Sequence, residues 1–178
     1  MGTYKEIDGD LITLAKEGIF DVIVQGNNCF CTQGAGLAPQ FVKAFNTDKF
    51  KMEAPEYRGD INKLGTIDFE VRMVSPDGIA RTLIEGLKIG NLEDNALIVV
   101  NAYTQYHYGA NHKDGVKKPV DYQAITLVMR KINHVFKGKH IGLPKIGAGL
   151  AGGSWRIIKE IIKKELTDVD VTVVNYKP

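Results

Sequence analysis

Gly34-Ala35-Gly36-Leu37-Ala38 recurs letter for letter at Gly147-Ala148-Gly149-Leu150-Ala151. Each copy stands between a run that reads as a buried strand and a run with helical periodicity, so both predict strand-to-helix turns. Glycines there let the backbone take positive φ and let a ligand come close to main-chain amides. The first turn of the following helix leaves N–H groups unpaired and carries about half a positive charge. Two such turns predict a cradle for two phosphates. Glycine at a tight turn is also an ordinary need of any α/β protein, and a single copy would decide little.

Working outward, Val22-Ile23-Val24 and Ala96-Leu97-Ile98-Val99-Val100 are continuous apolar runs, the pattern of central strands covered on both faces. The first delivers the chain to the first glycine turn. Beyond it, Ala38, Phe41, Val42 and Phe45 share one helical face. Tyr4 to Ile7 predicts a short strand, Leu11 to Lys16 a brief helix ended by Gly18, and Thr47 to Lys63 a polar loop with one irregular helical turn. In Gly65 to Val74, Ile67, Phe69, Val71 and Met73 alternate with Asp68, Glu70 and Arg72, which predicts a strand with one wet face. Asp77-Gly78 is a hairpin signal, with Ala80 to Leu87 as the returning strand at a sheet edge. Asn91 to Asn95 predict another turn. After Pro119, Asp121 can cap a helix whose Ile125, Val128, Met129, Ile132, Val135 and Phe136 form one stripe. His140 to Leu143 predicts a strand into the second glycine turn. Ser154 to Leu166 then predict a helix with Ile158, Ile161, Ile162 and Leu166 inward, and Val169 to Val174 a closing strand with Asn175 and Tyr176 just past it. The expected architecture is a three-layer α/β/α sandwich in a single domain, residues 1–178, around a mixed, mainly parallel sheet of about six strands plus an edge hairpin.

Composition narrows the class without naming a function. A chain of 178 residues suits one domain with a sizeable core. A net charge of +2 is too small to mark a nucleic-acid surface, and no basic run is interleaved with aromatics. Cys29 and Cys31 stand too close in sequence to staple distant segments, so a reducing, cytoplasmic setting is expected. The first residues lack the basic and then apolar regions of a signal peptide, and no apolar run approaches about 18 residues. Neither export nor a membrane span is expected.

Taken in order, Gly9-Asp10-Leu11, the strand leading to Asn27-Asn28, Gly34 to Ala38, and Leu143-Pro144-Lys145-Ile146-Gly147 through Gly153 resemble the macro domain over almost the whole chain. The resemblance is strongest to small macro domains of the ADP-ribose-1″-phosphate phosphatase and terminal ADP-ribose glycohydrolase kinds, in which the second glycine turn is followed shortly by a tryptophan, here Trp155. It implies ADP-ribose recognition. Asp10 would accept a hydrogen bond from the adenine amino group, with Gly9 and the Leu11 amide nearby; its other reading is as the cap of the helix that follows. Gly34, Ala35, Gly36, Leu37 and Ala38 would hold the diphosphate and distal ribose together with Ile146, Gly147, Ala148, Gly149, Leu150, Ala151 and Gly152. Asn28 would face the distal ribose, with Asn27 also among the ADP-ribose-binding residues. Tyr176, or Asn175 beside it, would cover the adenine or simply pack at the chain end. The ligand implied is ADP-ribose or ADP-ribose-1″-phosphate, with nucleic acid entering only as an ADP-ribosylated substrate, and the protein is expected to be a monomer needing no cofactor and no metal.

The catalytic half departs from the family pattern. The glycohydrolases use a lysine near the end of the central strand and an aspartate after the second glycine turn, where this chain has Tyr103 to Gln105 and Ala151. Gln25-Gly26-Asn27-Asn28 replaces the Asn-Ala-Ala-Asn of the larger hydrolases. Removal of the terminal phosphate of ADP-ribose-1″-phosphate remains, with a non-catalytic ADP-ribose reader and a glycohydrolase as alternatives. It needs a proton acceptor, and His107 or His112, or a carboxylate at Asp114 or Asp121, is the candidate. Asp121 also reads as a helix cap, Asp114 as a solvated loop residue and His107 as a surface or ribose-binding group. Cys29 and Cys31 offer two of the four ligands a structural zinc wants, and otherwise read as small packed groups. Trp155 reads equally as a pocket rim or a core residue.

Overall fold

The computed structural model describes residues 1–74, 80–82, 95–108 and 119–177. Among these, one sheet holds seven strands: β1 (Tyr4–Gly9), β2 (Val22–Asn28), β3 (Ile67–Val74), β4 (Ala80–Thr82), β5 (Ala96–Gln105), β6 (His140–Leu143) and β7 (Asp170–Tyr176). The spatial order is β1-β7-β6-β2-β5-β3-β4. The first five in that order are mutually parallel, and β3 and β4 run antiparallel at one edge. Asp77-Gly78, the predicted return beyond Thr82 and most of the Asn91 to Asn95 turn lie outside the described residues.

Two-faced burial follows from the apolar runs. In β2, Val22 and Val24 join one core with Ile98 and Val100 of β5, while Ile23 joins the opposite core with Val99. The first core is closed by α3 (Tyr122–Val135) through Ile125, Val128, Met129 and Ile132, and by α4 (Trp155–Glu165) through Ile158 and Ile162. The second is closed by α1 (Leu11–Lys16) and α2 (Ala38–Phe45), with Phe41, Phe45 and Phe50 fully buried. Three layers result, as the alternation of strand and helix patterns predicts.

Two expectations need correction. The charged face of β3 is wet only in part: Arg72 is buried, donates through Nε to the Phe45 carbonyl at 3.0 Å and pairs at 2.6 Å with Glu70, whose side chain stays 35% exposed. The second core covers part of that face, and period two alone cannot tell a solvated face from one roofed by polar chain. The roof is the segment expected as a loop with one irregular turn, which winds through four short 3-10 turns at Thr47–Lys49, Lys51–Glu53, Pro55–Tyr57 and Ile61–Lys63.

Asp68 lies under this roof, its carboxylate accepting from the Met52 amide at 2.7 Å. Burial pushes its carboxyl above the usual aspartate range, only partly offset by that amide. A raised folded-state value means stability that is whole below the unfolded value and declines as pH climbs through the folded one. Asp68→Asn keeps an acceptor for Met52 and removes the ionisation. Its urea midpoint is therefore expected above that of the parent near pH 7 and equal to it near about pH 3, where both side chains are neutral.

Candidate functional site

Because β6 and β2 are parallel neighbours, the turns leaving their carboxyl ends meet. The first enters α2, against one face of the sheet; the second enters α4, against the other. Open α/β sheets form their ligand crevices where successive connections diverge in this way. Here the crevice is a cleft of about 480 Å³, walled on one side by Gly34 to Ala38 and on the other by Pro144 to Gly147 and Gly149 to Ala151. Its floor comes from Gln25, Gly26 and Asn28 of β2 and from Thr104 and Gln105 of β5. A register shift at Asn27 and Asn28 opposes them to Tyr103 and Gln105, and Thr104 is the extra residue. Such a bulge re-aims side chains next to a site, and Thr104 lines the cleft.

The two copies of the repeated pentapeptide are not equivalent. Leu37 is the N-cap of α2, so the first copy runs straight into its helix. The second is separated from α4 by Gly152, Gly153 and Ser154. Neither helix has a side-chain cap, but Pro39 supplies no N–H in the first turn of α2, and the Ser154 amide before α4 donates to the Tyr122 hydroxyl at 2.9 Å. Gly36 and Gly147 take φ of 65° and 75°. A Cβ on Gly36 would lie 3.5 Å from Leu150 Cδ1, so the turns touch across the cleft. A Cβ on Gly153 would stand 2.5 Å from the Gly147 carbonyl oxygen, whereas Gly34 and Gly149 look into open space.

Asn28 lies on the cleft floor, but its amide is engaged in shaping the loop. Oδ1 accepts from the Phe30 and Thr32 amides at 3.0 and 3.2 Å, and Nδ2 donates to the Thr32 carbonyl at 2.8 Å. Asn27 points away from the cleft and donates to the buried Glu53 at 3.3 Å, as strand alternation requires of consecutive residues. Ala148 packs partly against the first core, and Gly152 bonds back to Gly149. Gly9 and Tyr176 pair where β1 meets β7, on the same carboxyl rim of the sheet but outside the cleft wall. Asp10 caps α1, its Oδ1 accepting from the Thr13 amide at 2.8 Å, and Leu11 is buried in the second core. Tyr176 is 60% exposed. Trp155 is half-buried against the first core with the Lys145 ammonium 5.9 Å from its ring centre.

His107 and Asp121 are not among the cleft residues. The His107 ring stacks on Phe30 at 5.1 Å and 17°, within an aromatic group completed by Tyr106 and Tyr108. Tyr108, 57% exposed, reaches the cleft from that group. Asp121 caps α3, accepting from the Ala124 amide at 2.9 Å. His112 and Asp114 lie outside the described residues. Tyr103, first in the stretch set against the glycohydrolase lysine, is fully buried and donates to Glu53 at 2.7 Å; burial and that carboxylate hold its phenol far above the usual range.

Several lining residues are not nominated by the sequence as ligand contacts. Gln25 follows three apolar residues in a central strand, where a buried amide is the unusual choice. It donates to Gln33 at 3.0 Å and to Asn101 at 2.9 Å, leaving Oε1 without a partner among the described residues. Thr32, Gln105 and Lys145 complete the polar lining. Lys145 is the one charged residue there among the described residues. No group of three or more metal-ligating side chains forms among the described residues, and none of their helices is long and apolar enough to cross a membrane.

No protein-family model matches the chain. It is 29% identical, over 98% of its length and 97% of the other's, to an uncharacterized 17.5 kDa protein from the tk-vs intergenic region of Enterobacteria phage T4. Among solved structures, the macrodomain of Mycobacterium tuberculosis DarG matches all of this chain and 99% of its own, with a TM-score of 0.64 at 19% identity. Thermosipho africanus DarTG in complex with ADP-ribose matches all of this chain over 42% of its own, with a TM-score of 0.66 at 18% identity. The chain has the macrodomain fold.

Proposed function

We propose that the cleft binds ADP-ribose. The observation that carries this reading is the meeting of two glycine turns across one crevice, the first running directly into the start of α2. Main-chain groups of Gly34 to Ala38 on one side and of Gly147 to Ala151 on the other would then hold the two charges of a diphosphate. Lys145 adds the compensating charge. Asp10 and Tyr176 sit farther along the same rim, where the adenosine would extend, and Asp10 keeps Oδ2 for the adenine amino group while Oδ1 caps α1. At the other end Gln25 Oε1 would accept from a ribose hydroxyl. Solved neighbours with ADP-ribose bound support the reading.

The reaction proposed within it is hydrolysis of the terminal phosphate of ADP-ribose-1″-phosphate, with His107 as proton acceptor. It is the more demanding half, because no carboxylate or imidazole lines the cleft among the described residues and His107 must leave its stack on Phe30 to reach it. A non-catalytic reader needs none of this rearrangement. Calorimetry is expected to show ADP-ribose binding in the micromolar range, about −8 kcal/mol, and more tightly than ATP or NAD. No heat at millimolar ligand would sink the binding reading. Phosphate release from ADP-ribose-1″-phosphate, run beside it, separates phosphatase from reader. An unchanged rate in His107→Ala would remove the histidine from the chemistry.

A further inference from the structure

Behind the first glycine turn lies a buried polar group that ligand recognition does not use. Lys63 is fully buried, and no carboxylate among the described residues makes an ion pair with it. Its Nζ donates to the Met52 carbonyl at 2.5 Å and to Cys31 Sγ at 2.8 Å, and lies 4.3 Å from the Tyr103 ring centre. Cys31 is only half-buried and holds a left-handed backbone with φ of 61°, which is uncommon outside glycine. The Cys31 sulfur is thus held against a buried nitrogen that the Met52 carbonyl keeps in place. Glu53, held by Tyr103 and Asn27, lies beside the pair with Oε2 lacking a partner among the described residues. Burial pushes the Cys31 thiol up while Lys63 draws it down.

We propose that Cys31 and Lys63 form a reversible covalent cross-link when a hydroperoxide reaches the sulfur. A sulfur lone pair attacks one peroxide oxygen, the O–O bond breaks, and the other oxygen leaves as water with the thiol proton. This gives the sulfenic acid. Once Lys63 has passed one ammonium proton to water, its amine lone pair attacks sulfur, the S–O bond breaks, and the departing hydroxide takes a proton from the nitrogen as a second water. One thiol, one ammonium group and one hydrogen peroxide become one S–N bond, two waters and one proton taken up by solvent. Sulfur gives up two electrons and the peroxide accepts them. The held contact favours closure over further oxidation, since a bound amine reacts at an effective concentration that free reactants cannot match. Cys29, the alternative partner, is fully buried, and burial lifts its thiol to about 11. The cross-link would fix the loop carrying Asn28, Thr32 and Gly34 to the last 3-10 turn of the roof.

The test is peptide mapping of the intact protein after hydrogen peroxide and alkylation. The expected product joins the tryptic peptide containing Cys31 to the one containing Lys63. Its mass is their sum less two hydrogens, cleavage after Lys63 is lost, and dithiothreitol restores both peptides. Lys63→Arg keeps the charge and is expected to abolish the joined product, leaving Cys31 trappable by dimedone. If that variant does not fold, the parent map decides alone. Cys31 remaining reduced, gaining only oxygen, or pairing with Cys29 while trypsin still cuts after Lys63 would overturn the proposal.

Discussion

Gly149→Glu is expected to weaken ADP-ribose binding by about 100-fold or more while the melting temperature stays close to that of the parent. The position lines the cleft, has no neighbour within 4 Å of an added Cβ and does not take positive φ, so the backbone accepts a side chain. The carboxylate would then stand where the reading places a phosphate. Two like charges about 4 Å apart at an effective dielectric near 20 repel by roughly 4 kcal/mol, well over the ~2.7 kcal/mol that a 100-fold loss represents. Gly34→Glu probes the opposite wall on the same grounds. Calorimetry and a thermal scan of each variant make the check. Parental affinity in both would remove the diphosphate from the cleft.

The largest effect on stability is expected at Tyr103. Tyr103→Phe conserves the ring but deletes the hydroxyl that donates to Glu53 at 2.7 Å. Glu53 is 3% exposed and would keep only the longer contact from Asn27 among its described donors. A buried carboxylate that loses a strong donor costs about 2–3 kcal/mol. For a chain of this length that corresponds to a fall of roughly 5–10 °C in melting temperature. Glu53→Gln in the Tyr103→Phe background removes the charge and should recover part of the loss. A Tyr103→Phe protein that melts with the parent would show that the Tyr103–Glu53 contact contributes no net stability.

Much of the frame is legible in the letters. Continuous apolar runs mark β2 and β5, and the stripe from Ile125 to Phe136 marks α3, because burial on two faces or on one helical stripe leaves few other patterns. The two glycine turns are equally plain, and their meeting follows once β6 is placed beside β2. Four things are hidden for identifiable reasons. Thr47 to Lys63 has no period, since a string of 3-10 turns buries residues one at a time, so Glu53 and Lys63 read as solvated charge. Within β5, Asn101 and Tyr103 are spent on internal hydrogen bonds while Thr104 and Gln105 line the cleft, a division set by the bulge that the residue types do not mark. Asp10 and Asp121 are each placed as helix caps, a role a sequence can nominate but cannot separate from ligand contact. His107 could not be placed from sequence because its partner, Phe30, arrives from a different strand end.

The divergence of the two glycine turns has a mechanical side. α2 is rooted in the core that contains Phe41 and Phe45, and α4 in the core that contains Ile158 and Ile162, with the sheet between them. A molecule held by both turns at once would therefore act as a brace across the edge of the sheet. It would join two hydrophobic bodies that lie on opposite faces of the strands.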